Sequence, residues 1–227
     1  MQVFALIAAL ALGQTGNGDI ASVEAIEGAP IGHVNVDVSL GGSWMEDILG
    51  QELDADIFGS IGIGYGLNLT DTGELSFELE FAQHNGGADG SFNIGGDYGK
   101  GYGYNVAWDG DVESNVFMLN VMWAQTLGSD DHNGIGPYLG FGVGYADNEG
   151  TLDVSVTSLY HDSKKTKHVS VSDSGFAWQV FGGVFFRFNE NSKIYLGGRY
   201  ADLGDLYEPL SLEVESLVIE FGYTHSF

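Results

Sequence analysis

The sequence predicts an all-β protein, an eight-stranded antiparallel up-and-down transmembrane β-barrel, and three observations predict it. After about residue 31 the apolar residues recur every second position, with little helical spacing. The alternating runs are nine to thirteen residues long, against the ~5–6 usual in soluble strands and the ~9–11 a tilted strand needs to cross a bilayer. The connections between runs alternate in length. Segments 42–54, 84–113, 147–175 and 202–213 are long, whereas 68–73, 126–134 and 189–192 are short. With both termini at one end, all long loops fall at one end of the barrel and all short turns at the other. Transmembrane barrels have that asymmetry, with long extracellular loops and short periplasmic turns.

The strands follow in order. HVNVDVSLG at 33–41 sets Val34, Val36, Val38 and Leu40 against His33, Asn35, Asp37 and Ser39. DIFGSIGIGYGLN at 56–68 sets Ile57, Ile61, Ile63, Tyr65 and Leu67 against Phe58, Ser60 and glycines 62, 64 and 66. GELSFELEFA at 73–82 sets Leu75, Phe77, Leu79 and Phe81 against Glu74, Ser76, Glu78 and Glu80. SNVFMLNVMWAQ at 114–125 shows Phe117, Leu119, Val121 and Trp123 on its apolar side. GIGPYLGFGVGYA at 134–146 places Leu139, Phe141, Val143 and Tyr145 opposite Gly140, Gly142 and Gly144. FAWQVFGGVFFRF at 176–188 opposes Trp178, Val180, Val184, Phe186 and Phe188 to Gln179, Gly183 and Arg187. KIYLGGRYA at 193–201 opposes Ile194, Leu196 and Tyr200 to Lys193, Gly197 and Arg199. SLVIEFGYTHSF at 216–227 opposes Leu217, Ile219, Phe221, Tyr223 and Phe227 to Val218, Glu220, Gly222, Thr224 and Ser226.

One face of each strand is almost free of charge, and the other carries glycines, hydroxyls, amides and ionic groups. A soluble barrel with those charges inside would pay heavily for burying them. With the apolar face toward lipid and the polar face in a packed lumen the pattern is consistent. Backbone satisfaction in lipid then requires the sheet to close on itself. Trp178 is expected near the outer membrane boundary, and Trp123, Tyr223 and Phe227 near the inner one, as interfacial girdles.

Composition limits the function. The net charge is −25 with only seven basic residues, which argues against nucleic-acid binding. Lys164, Lys165 and Lys167 form the one basic patch. There is no cysteine, so no disulfide, thiolate metal site or cysteine nucleophile is available. Residues 1–21 contain an apolar run, Val3 to Leu12, followed by small and polar residues, the pattern of a secretory signal peptide lacking its basic n-region. Cleavage after Ala11, Gly13 or Ala21 fits equally, 22–31 follows as an N-terminal segment, and the barrel occupies 32–227.

GPYLGFGVGYA, FAWQVFGGVFFRF, KIYLGGRYADLG and the terminal aromatic strand together resemble the outer-membrane β-barrel domains of opacity-protein-like, surface-antigen-like and outer-membrane-protein-A-like bacterial proteins. The resemblance covers roughly 32–227. It implies a location in the outer membrane of a Gram-negative cell envelope, in contact with lipid and lipopolysaccharide. It also implies that Phe221, Tyr223 and Phe227 act as a signal to the barrel-assembly machinery.

Candidate sites are few. The glycine runs lack G-x-G-x-x-G, and GDYGKGYG at 96–103 fails the P-loop pattern at both ends, so no nucleotide cofactor is expected. Glu78, Glu80 and Glu220 are candidates to pair with Arg187 and Arg199 as a structural charge network filling the lumen. A selectivity ring or gate is the competing reading. His225 and Ser226 invite comparison with outer-membrane deacylases, but neighbours in a strand point to opposite faces and cannot form a nucleophile–base pair. No catalytic residue and no dedicated metal site is expected. The acidic stretches DGD at 109–111, DDHNG at 130–134 and ADNEGTLD at 146–153 lack EF-hand spacing. They read as solvated loops, with a divalent-cation bridge to lipopolysaccharide as the alternative. The expected function is that of a non-enzymatic, porin-like surface protein serving envelope integrity, adhesion or recognition of external ligands through its long loops. The alternative is a narrow channel or transporter for ions or small hydrophobic solutes.

Overall fold

The computed structural model describes residues 32–48, 51–52, 56–94, 103–127, 134–158, 163–206 and 212–227. The signal-peptide reading at 1–21, the segment 22–31, and most of the stretches at 96–103 and 130–134 lie outside the described residues. Nine strands occur among those described: β1 (Gly32–Ile48), β2 (Gln51–Glu52), β3 (Asp56–Asn68), β4 (Gly73–Ile94), β5 (Tyr104–Gln125), β6 (Gly134–Ser158), β7 (Lys164–Asn189), β8 (Ser192–Leu206) and β9 (Leu212–Ser226). Eight are long and pair antiparallel in sequence order, and β1 pairs with β9 from Asn35↔Ser226 to Glu46↔Glu215, so the sheet closes. The ninth, β2, is a two-residue strand paired only with the end of β1.

The alternation falls on the two faces of the wall as its chemistry requires. Leu40, Ile57, Ile63, Leu79, Phe117, Leu139, Phe176, Leu196 and Phe221 are exposed on the outside. Asn35, Asp37, Ser39, Glu80, Asn120, Gln179, Arg199 and Glu220 are buried inside. The outer wall is therefore a hydrocarbon-compatible band, and the lumen is a polar core largely filled by side chains. Trp178 donates its indole N–H to Asp202 at 2.9 Å and packs on Tyr200, anchoring one rim of the band. At the other rim Trp123 is exposed opposite Leu75 and Leu139, and Tyr223 lies against Phe188.

The glycine strand of β6 has a packing reason. A Cβ on Gly140 would run into the Phe181 ring, and one on Gly142 into Asn120 Oδ1. The missing side chains are what admit the long inward side chains of β5 and β7.

Four segments that read as loops are instead largely strand. β4 and β5 continue as a paired ladder from Ala82↔Val116 to Ile94↔Tyr104, and β6 and β7 from Ala146↔Gly175 to Thr157↔Lys164. β5 and β6 remain paired throughout, from Ala124↔Tyr138 to Tyr104↔Ser158. A four-stranded blade thus rises from half of the barrel rim, and the acidic stretches at 109–111 and 146–153 are strand, not loop. In this blade the apolar side of the sheet changes. Below, Phe81, Phe117, Tyr145 and Phe176 point outward; above, Phe92, Trp108, Val154 and Val169 occupy the lumen-side positions of the same strands. The exchange happens at the cross-strand row His84–Ser114–Asn148–Asp173. Below that row the outer positions are apolar, and above it they are polar, the pattern of a wall facing lipid below and a sheet facing water above.

Candidate functional site

Two polar clusters fill the lumen. The central one is built on Arg199 of β8. Its guanidinium binds Glu80 of β4, Glu220 of β9 at 3.1 Å and the Gln179 carbonyl of β7 at 3.0 Å. Phe58 and Phe181 lie on it at 4.9 and 5.3 Å from their ring centroids. Gln179 Nε2 donates to Glu80 at 3.1 Å and to Asn120 Oδ1 at 2.8 Å, and Asn120 donates to both Glu80 and Glu78. Ser39 donates to Glu220 at 3.3 Å and shares a hydrogen bond with Ser60. Arg199, Glu80 and Glu220 are 4%, 4% and 1% exposed, so this group is a solid crossbar through the barrel.

The second cluster lies toward the short-turn end. Glu74 sits 3.4 Å from each of Arg187, Lys193 and His33. Between the clusters, Asp37 accepts from Tyr195 at 2.6 Å and Thr224 at 2.7 Å. A cavity of about 40 Å³ lined by Asp37, Glu78, Tyr138 and Arg199 lies there, and a second of about 160 Å³ opens beneath it beside Glu74 and Arg187. The first has room for only about three waters.

Of the residues singled out in the sequence, Glu80, Arg199 and Glu220 meet directly and Glu78 joins them through Asn120. Arg187 does not join them. It pairs with Glu74, because its position in β7 is opposite Gly134, near the turn end of the barrel. Sequence reasoning passed over Asn120 and Gln179 as network members and Glu74 as a partner. All three stand at inward positions of their strands, and an uncharged amide between two carboxylates gives no charge signal. Phe221 and Phe227 are exposed on the outer wall, and Tyr223 contacts Ser192 at 3.1 Å. His225 and Ser226 part to different neighbours: His225 Nδ1 lies 3.2 Å from Ser192, while Ser226 donates to Asn35. Farther up the lumen, His84 Nδ1 lies 3.0 Å from Ser216, with both side chains fully buried. Among the described residues no cluster of three or more ligating side chains could hold a metal ion.

A closed barrel with a lipid-compatible exterior and an ionic, packed interior is a transmembrane β-barrel of the kind that bacteria carry in their outer membrane. The chain belongs to the Outer membrane protein beta-barrel domain family, whose pattern matches residues 5–224, and its place is the bacterial outer membrane. Among solved structures it is similar to Neisserial surface protein A, at 16% identity over 86% of this chain and 97% of that one, with a TM-score of 0.46. It is also similar to the outer membrane protein OprG from Pseudomonas aeruginosa, at 12% identity over 89% and 99%, TM-score 0.38. A third likeness is to the outer membrane enzyme PagL, at 13% identity over 84% and 98%, TM-score 0.39. No curated protein matches the chain.

Proposed function

We propose that this is a non-enzymatic surface barrel, which meets the exterior through the blade and serves attachment or recognition while its lumen stays shut. The observation that carries this reading is the pairing of a crossbar with a built sheet that extends beyond the barrel's apolar band. The Arg199–Glu80–Glu220 group blocks the lumen, so the barrel is a stake rather than a conduit. The blade offers two chemically distinct faces on rigid strands, which hold a binding surface better than free loops do. Its lumen-side face is largely apolar, with Phe92, Ile94 and Tyr104 about half exposed and Lys165 and Lys167 at its β7 margin. Its outer face carries Asp89, Asp109 and Asp153 in one row and Glu113 beside Glu149.

The test replaces 86–112 and 150–172 with short turns and compares cells carrying the two forms. Attachment is expected to drop at least about tenfold, the scale of 1.4 kcal/mol in binding. The shortened barrel should still migrate differently boiled and unboiled, and neither form should conduct in planar bilayers. Resolved conductance steps from the full chain would support a channel instead, and unchanged attachment would remove the blade from the function.

Lipopolysaccharide and the barrel-assembly machinery belong to the same proposal as partners. The outward aromatics Phe221, Tyr223 and Phe227 of the last strand support the second of these. Deleting Phe227 is expected to lower recovery in the outer-membrane fraction several-fold without changing synthesis. Normal recovery would sink that assignment.

A further inference from the structure

The blade has two open edges. β3 ends its register with β4 at Gly59↔Gln83, and β8 ends its register with β7 at Trp178↔Asp202. Among the described residues, 84–94 of β4 and 164–177 of β7 therefore have a paired strand on one side only. Such edges are templates for a further strand. Their charges are opposite. Three of the seven basic residues stand on the β7 edge, Lys164 on the outer face and Lys165 and Lys167 on the lumen side. The β4 edge contains no lysine or arginine and carries Asp89, in one row with Asp109 and Asp153.

We infer that these edges join one copy of the chain to the next, with β7 of one blade pairing against β4 of its neighbour. The membrane supplies the geometry. Every copy stands the same way up, so β4 ascends and β7 descends in each, and the two meet antiparallel. A sideways shift also keeps like faces together: the Phe92 side continues into the Val169 side, which carries Lys165 and Lys167 as well, and the acidic outer face meets the face that bears Lys164. The symmetric alternatives are poorer on each count. A twofold axis along the membrane normal would make β4 against β4, or β7 against β7, parallel, and would set the apolar face of one copy beside the acidic face of the other. It would also place lysines against lysines at the β7 contact. A head-to-tail contact between different edges does not close on itself, so the product is a row of barrels rather than a dimer. This contact is separate from whatever the blade faces bind outside the cell.

The absence of native cysteine makes the arrangement directly readable. Ser91→Cys marks the β4 edge and Ser170→Cys the β7 edge, both exposed and above the membrane. In outer-membrane vesicles carrying the full chain, a short bis-maleimide should convert the double variant into a ladder of dimer, trimer and longer species. Each single variant should remain monomeric, and co-expression of the two single variants should stop at dimer. Adding Lys164→Glu, the one lysine on the acidic row's face, to the double variant should cut the ladder at least about twofold. The inference is overturned if the double variant stays monomeric, if either single variant dimerises as efficiently, if the ladder ignores charge reversal, or if the cross-links run to a different protein.

Discussion

Replacing Arg199 by methionine is expected to destabilise the barrel by about 3–5 kcal/mol, read as a shift in urea unfolding followed by the boiled-versus-unboiled gel difference. The size follows from what is left behind. Glu80 and Glu220 are almost fully buried and would lose their counter-charge together, retaining only the amides of Asn120 and Gln179 and the Ser39 hydroxyl. Removing all three charges, as Arg199→Met with Glu80→Gln and Glu220→Gln, should recover most of the loss, since a buried ionic group is costly chiefly when half of it is missing. Arg187→Ala is the contrast. Arg187 is 30% exposed, and Glu74 keeps His33 and Lys193, so the expected loss is under about 1 kcal/mol. Equal losses at the two arginines would mean that the central group is not the crossbar its geometry describes.

Gly142→Val is expected to cost about 2–3 kcal/mol in the same assay, near the upper end of ordinary overpacking. A Cβ there overlaps Asn120 Oδ1, which already receives Gln179 at 2.8 Å and cannot retreat without breaking the bonds around Glu80. Gly175→Val should be neutral or gain a few tenths of a kcal/mol, because a Cβ at 175 meets nothing within 4 Å and glycine is a poor strand former. Both positions lie in a β-strand of the same wall, so the difference between them isolates lumen crowding from strand propensity.

The membrane-embedded wall was legible in the sequence because lipid imposes a two-residue period on its outside. Ile57, Leu79, Phe117 and Leu139 declare a face without any knowledge of their neighbours. The blade was not legible by the same means. In β4 the segment Asn85–Gly86–Gly87–Ala88 has no apolar alternation at all, and in β6 the apolar positions pass from Tyr145 to Leu152, which changes their phase. A reader following one phase sees the strand end there, although its backbone ladder continues without a break. The charge network was legible as a list of inward ions and not as a set of pairs. Which arginine meets which carboxylate depends on the stagger between strands distant in sequence. Arg187 and Arg199 share an inward face yet meet partners at different depths, Glu74 for one and Glu80 with Glu220 for the other.

The hydrogen bonds from β1 to β9 tie the first of the described strands to the last of them. No shorter version of the chain can complete that seam, and each would carry two raw edges that hydrocarbon does not tolerate. Entry into the bilayer is consequently a single commitment, made only when both strands of the seam are present. Until then the greasy outer positions travel through water uncovered. A net charge of −25 has a use during that journey: it holds copies in transit apart at the stage when they are most inclined to stick.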